Sequence, residues 1–109
     1  MTKLPLCLCV AAIAFSAGCT KSLPEKEWLA EINKFENEEQ YPEAIRSIEG
    51  FVDKYPKSTE RPVLMKKLAL LYAGEMKDFR SAIKVYKKIV AEVDDPKLVA
   101  QSQFMAGYI

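Results

Sequence analysis

The sequence predicts an all-α protein, and three observations predict it. Apolar residues recur at helical spacing from residue 24 onward, with no run of strict alternation that would mark a strand. Pro24, Pro42, Pro56, Pro62 and Pro96 fall near the edges of the periodic segments, where a residue without a backbone N–H is tolerated. Tyr41-x-x-Ala44-Ile45 returns thirty-eight residues later as Phe79-x-x-Ala82-Ile83, and Leu68-Ala69 returns at the same interval as Ala106-Gly107.

These signals place helices over 24–37, 42–54, 61–75, 79–93 and 96–109. Ser22, three residues before Glu25, reads as a capping box for the first. Thr59 lies just before Pro62 and reads as the cap of the third, Asp78 opens the fourth, and Asp95-Pro96 opens the fifth. One interval shared by separate markers is the mark of stacked helix-turn-helix units, the third of which stops after its first helix. Ala44 and Ala82 would be the points where two backbones approach, with aromatic residues one turn away filling the wedge and Phe51 fully buried.

In this pattern the chain resembles the tetratricopeptide repeat (TPR) family, whose unit is 34 residues long. Residues 25–58 follow it closely, with Trp28, Phe35, Tyr41, Ala44, Ile48, Phe51 and Pro56 at the family's bulky, small and closing positions, while Glu31 and Ile32 replace its usual Leu-Gly. The second unit fits through Leu68, Ala69 and Tyr72, then needs one extra residue before Phe79, Ala82, Tyr86 and Ile89. The resemblance covers about 85 of the 109 residues and implies two repeats plus a fifth helix. Repeat arrays usually need about three units to bury a continuous core. The domain over 24–109 is therefore expected to be marginally stable, frayed at its last helix, and of the kind found as a segment of a longer array.

The N-terminus carries a separate signal. Lys3 precedes an apolar stretch from Leu4 to Phe15, which is too short to span a bilayer but suits the core of an export signal. Phe15-Ser16-Ala17-Gly18-Cys19 follows, with small residues on both sides of a cut before cysteine. It resembles a bacterial lipobox, with Ser16 where that family usually carries leucine. The resemblance implies a lipoprotein signal peptide over 1–18, an acylated Cys19, and a tether over 19–23. Cys7 and Cys9 would leave with the signal, so Cys19 would be the only thiol of the mature chain. Several acyl chains hold a protein on a membrane almost permanently. Thr20, where an inner-membrane retention aspartate would stand, implies the periplasmic face of the outer membrane, or the cell membrane in an organism with one membrane.

Composition narrows the function. Lys and Arg number 16 against 15 Asp and Glu, and loss of Lys3 leaves 15 of each, so no basic excess faces a nucleic acid. No histidine is present, which removes the commonest general base and metal ligand. The adjacent carboxylates Glu38-Glu39 and Asp94-Asp95 fall at turns and read as solvated or capping groups. Lys66, Lys67, Lys84, Lys87 and Lys88 read as solvated helix faces, and the five tyrosines as core or rim residues. No enzyme activity, metal or cofactor is expected beyond the covalent lipid on Cys19.

What remains is a surface for other proteins. Projection onto the family's unit, in which the first helix of each pair lines the concave side, gives Leu29, Asn33, Lys66, Lys67, Leu70, Phe104 and Tyr108 as partner-binding residues. Leu29 stands where the carboxylate-clamp version of the family wants lysine. An apolar strip edged with lysines suits a peptide or a partner helix. The expectation is a membrane-tethered interaction module or scaffold, similar in organisation to the TPR lipoproteins of outer-membrane assembly. The alternatives are a periplasmic adaptor for cell division or secretion, and a self-associating structural lipoprotein joined through the apolar ending Phe104-Met105-Ala106-Gly107-Tyr108-Ile109.

Overall fold

The computed structural model describes residues 24–108. The signal, Cys19, the tether with its Ser22 cap, and Ile109 lie outside the described residues. Five helices follow one another: α1 (Glu25–Asn37), α2 (Tyr41–Lys54), α3 (Arg61–Leu70), α4 (Phe79–Glu92) and α5 (Pro96–Tyr108), with α3 prolonged by a π-helical turn over Leu71–Glu75. Among the described residues there is no strand, and no helix is long and apolar enough to cross a membrane. Backbone contacts join each helix to its neighbours in sequence and to no other described helix.

The helix starts follow local chemistry. Asp78 caps α4, its carboxylate accepting the Ser81 N–H at 3.1 Å and the Ser81 hydroxyl at 2.7 Å. These bonds hold its carboxyl below the ordinary value. Asp95 likewise accepts the N–H groups of Lys97 and Leu98. Thr59 does not cap α3. The hydroxyl of Ser58, one residue earlier, accepts the Glu60 N–H at 3.1 Å and donates to Glu25 at the start of α1. The Tyr55–Ser58 turn brings Ser58, not Thr59, beside α1.

Two turns share an unusual backbone. Glu39 (φ 58°) and Lys77 (φ 54°) both adopt the left-handed conformation, thirty-eight residues apart and two residues before the next helix. At the first, Gln40 N–H reaches Phe35 O at 2.8 Å and Glu39 N–H reaches Glu36 O at 3.0 Å, the paired bonds of a Schellman ending. At the second, Met76 N–H bonds Leu71 O at 3.0 Å, five residues back. Such a turn takes up one extra residue within a helix. It lies where the second unit carries one residue more than the first before Phe79.

The core repeats with this geometry. Trp28 and Ile32 on α1 are buried, as are Met65 and Ala69 thirty-seven residues later on α3. On α2 and α4 the interval is thirty-eight: Ala44 and Ala82, Ile48 and Tyr86, and Phe51 and Ile89 are all buried. On α5 the shorter interval holds, so Ser102 is buried where Met65 is, and half-buried Met105-Ala106 answer Leu68-Ala69. The expected match to Ala106-Gly107 is therefore displaced by one: Ser102 follows Tyr86 by sixteen residues where Met65 follows Ile48 by seventeen, so the α4–α5 connection is one residue shorter and offsets the residue that the π turn adds. Gly107 is exposed, with nothing within 4 Å of the position of a Cβ.

Trp28 locks α1 onto α2. Its indole N–H donates to Ser47 O at 2.9 Å, and its ring meets Phe51 and Tyr55 edge-on at centroid distances of 6.4 and 5.9 Å. Gly50 permits this approach, since a Cβ there would lie 2.9 Å from Trp28 Cζ2. Arg61 ties three helices: its Nε donates to Val52 O at 3.0 Å, and its guanidinium pairs with Glu92 at 2.8 Å. The first bond satisfies a carbonyl that the last turn of α2 leaves unpaired.

Two substitutions test this packing by urea unfolding. Alanine exceeds glycine in helix propensity by about 1 kcal/mol, yet Gly50→Ala should destabilise the protein by about 1–2 kcal/mol because the rigid indole must shift. Phe51→Ala should cost about 3–5 kcal/mol through the cavity left by a side chain with no accessible surface.

Candidate functional site

The structure brings three of the seven expected contact residues into one cleft of about 490 Å³ between α3 and α5. Lys66 and Leu70 form its α3 wall, Phe104 and Met105 part of its α5 wall, and Tyr86 of α4 its floor. Leu70 and Phe104 are 48% and 68% exposed, and with Tyr108 they make three of the six exposed large apolar side chains among the described residues. Tyr108 lies outside the lining but stacks on Phe104, with ring centroids 5.9 Å apart and planes 16° from parallel. Of the five tyrosines it is the one fully at the surface, neither core nor rim.

The other three expected residues are placed elsewhere. Lys67 pairs with Glu36 at 3.0 Å and links α3 to α1. Leu29 is half-buried against the core, and Asn33 is exposed on α1. The helical projection set these residues on one strip, but an exposed amine beside a facing carboxylate is drawn into a pair. Lys66 has no ion-pair partner among the described residues and remains a cation at the cleft's edge.

Sequence reasoning missed Leu98, Gln101, Ser102, Met105 and Tyr86 as lining. Ser102 departs most from the repeat. It stands thirty-seven residues after Met65 and seventy-four after Trp28, where both earlier helices bury a large side chain. The pattern itself carried that signal, once the interval on the first helices is taken as thirty-seven. The Ser102 hydroxyl is buried and makes no hydrogen bond. Burial pushes the Tyr86 phenol above its ordinary value. Outside the lining, burial and a hydrogen bond to Glu49 push Tyr72 up to about 12.

Among the described residues no cluster of histidine, cysteine or carboxylate could hold a metal ion. Glu38 and Glu39 sit in the α1–α2 turn, and Asp95 is occupied as a cap. What the cleft offers is an apolar floor, an exposed aromatic stack and one unpaired cation, which suits recognition of a surface. The chain matches no protein-family model, no curated protein and no solved structure.

Two outcomes follow from the buried polar groups. Ser102→Ala removes an unsatisfied hydroxyl at little change in volume and should raise unfolding stability by about 1 kcal/mol. A phenol whose folded pKa exceeds its unfolded value of 10.0 holds its proton more tightly in the native state. That contribution is complete below pH 10 and is lost as pH rises toward the Tyr72 value of about 12. The melting temperature should therefore fall through this window, and fall less steeply in Tyr72→Phe.

Proposed function

We propose that this chain is a membrane-tethered protein-protein interaction module, built as a TPR-like array of two repeats plus a fifth helix and anchored by lipid on Cys19 at the periplasmic face of an outer membrane. The anchor reading rests on Phe15-Ser16-Ala17-Gly18-Cys19. The array reading is supported by the burial intervals of thirty-seven and thirty-eight residues, by the left-handed turns at Glu39 and Lys77, and by backbone contacts confined to successive helices. The role is that of a scaffold in envelope or outer-membrane assembly, and no catalysis is assigned.

The observation that carries the binding reading is the cleft between α3 and α5, where Leu70, Phe104 and the stacked Tyr108 stay exposed beside unpaired Lys66. A surface of this kind loses apolar area to water unless another protein covers it. Self-association through the same aromatic pair is the second reading, favoured by the 76% exposure of Tyr108.

A photo-crosslinking side chain at position 104 of the full-length protein, expressed in its native envelope, tests both. The proposal expects a discrete adduct with a different protein, absent when the probe replaces exposed Arg46 on α2, which is not among the residues that line the α3–α5 cleft. An adduct of two copies of this chain would favour self-association, and no adduct would contradict both readings. Cys19→Ser should move the protein from the membrane to the soluble fraction; unchanged partition would remove the lipid anchor from the account.

A further inference from the structure

The charges of this chain are sorted along its length. Residues 24–60 carry ten carboxylates and five Lys or Arg, whereas residues 61–108 carry five carboxylates and nine Lys or Arg. The sorting is sharpest at the cleft. Neither α3 nor α5, its two walls, contains a single Asp or Glu, although acids make up 15 of the 109 residues.

Of the four cations on those walls, two are neutralised within the molecule: Arg61 by Glu92 and Lys67 by Glu36. Lys66 and Lys97 have no ion pair among the described residues. Lys66 lines the cleft, and Lys97 lies one helical turn before Gln101, which also lines it. The α4 floor adds no carboxylate to the lining. An apolar surface with unpaired cations on its rim has one electrostatic complement, an apolar surface edged by carboxylates.

The shape constrains the occupant further. The exposed Phe104–Tyr108 pair continues past the cleft lining along α5, and the stretch from Leu98 in the lining to Tyr108 spans about 15 Å at the helical rise. That length exceeds a compact small molecule and matches about three turns of a partner helix. The room left by Ser102, where Trp28 and Met65 stand in the earlier helices, gives a bulky apolar side chain a place to enter.

We propose that the α3–α5 cleft takes an acidic amphipathic segment of another protein, with leucine-like side chains over Tyr86 and carboxylates opposite Lys66 and Lys97. This rests on the reading of the chain as an interaction module and adds the sign of the partner's charge, which that reading leaves open.

The test uses the full-length acylated protein in nanodiscs and two fluorescent peptides of about fourteen residues. Both carry leucines at the same helical spacing; one has glutamates and its twin lysines at the remaining positions. Fluorescence anisotropy at physiological salt is expected to show the glutamate peptide binding at least about tenfold more tightly than its twin. Lys66→Glu, at an exposed and unpaired side chain, should remove most of that preference without altering the unfolding curve. Lys84→Glu, outside the α3–α5 cleft, should leave the preference largely unchanged. Equal affinity for the twins would overturn the inference, and with a Phe104 crosslink to another protein it would leave the interaction-module reading standing. Sedimentation showing dimers that the glutamate peptide dissolves would also overturn it, by assigning the cleft to a second copy.

Discussion

Ala44 and Ala82 have no solvent-accessible surface, and each sits on the second helix of a pair. Packed helix axes lie about 8–10 Å apart, and the lower end of that range is open only where a side chain is as small as a methyl group. Around each alanine the next buried positions are large: Ile48 and Phe51 after Ala44, Tyr86 and Ile89 after Ala82. A small residue flanked by bulky ones fixes the crossing, because sliding either helix by one position would put a branched or aromatic side chain where only alanine fits. Trp28 shows the same logic in atomic detail, its indole resting so close to α2 that even a methyl at Gly50 would collide with it.

Much of this was legible in the chain. The five helices begin within one residue of the pattern drawn from periodicity, proline placement and caps, and end so once the π turn is counted with α3, because Asp78 and Asp95 are strong local signals whose bonds need no distant partner. The burial of Phe51, Ala44 and Ala82 was equally readable, since spacing alone assigns them to an inner face. What escaped was tertiary or depended on a backbone state that composition does not announce. A π turn has no residue signature, so the extra residue before Phe79 was visible only as a misfit. Glu39 and Lys77 take a conformation that usually selects glycine. Ser58 displaced Thr59 because the turn points it at Glu25, a contact thirty-three residues away in sequence.

The cleft was half legible for a related reason. Helical projection identifies which residues share a stripe, and it placed Lys66, Leu70 and Phe104 together. It does not reveal that Lys67 has Glu36 within 3.0 Å, or that Leu29 turns toward the core. Nor does it show that the buried position of the first helices shrinks along the chain, from Trp28 to Met65 to Ser102. At the smallest of the three, Ser102, an open cleft lies beside two helices that carry no acid.

The central claim is that the two crossings are built alike, and equilibrium urea unfolding of Ala44→Leu, Ala82→Leu and the double variant tests it most directly. Overpacking at either alanine should lower stability by about 1–3 kcal/mol. The two losses should be similar, and close to additive in the double variant because α2 and α4, which carry the two alanines, share no backbone contact. An unchanged midpoint for either single variant would show that its alanine does not lie at a close approach of two backbones, and would contradict the account.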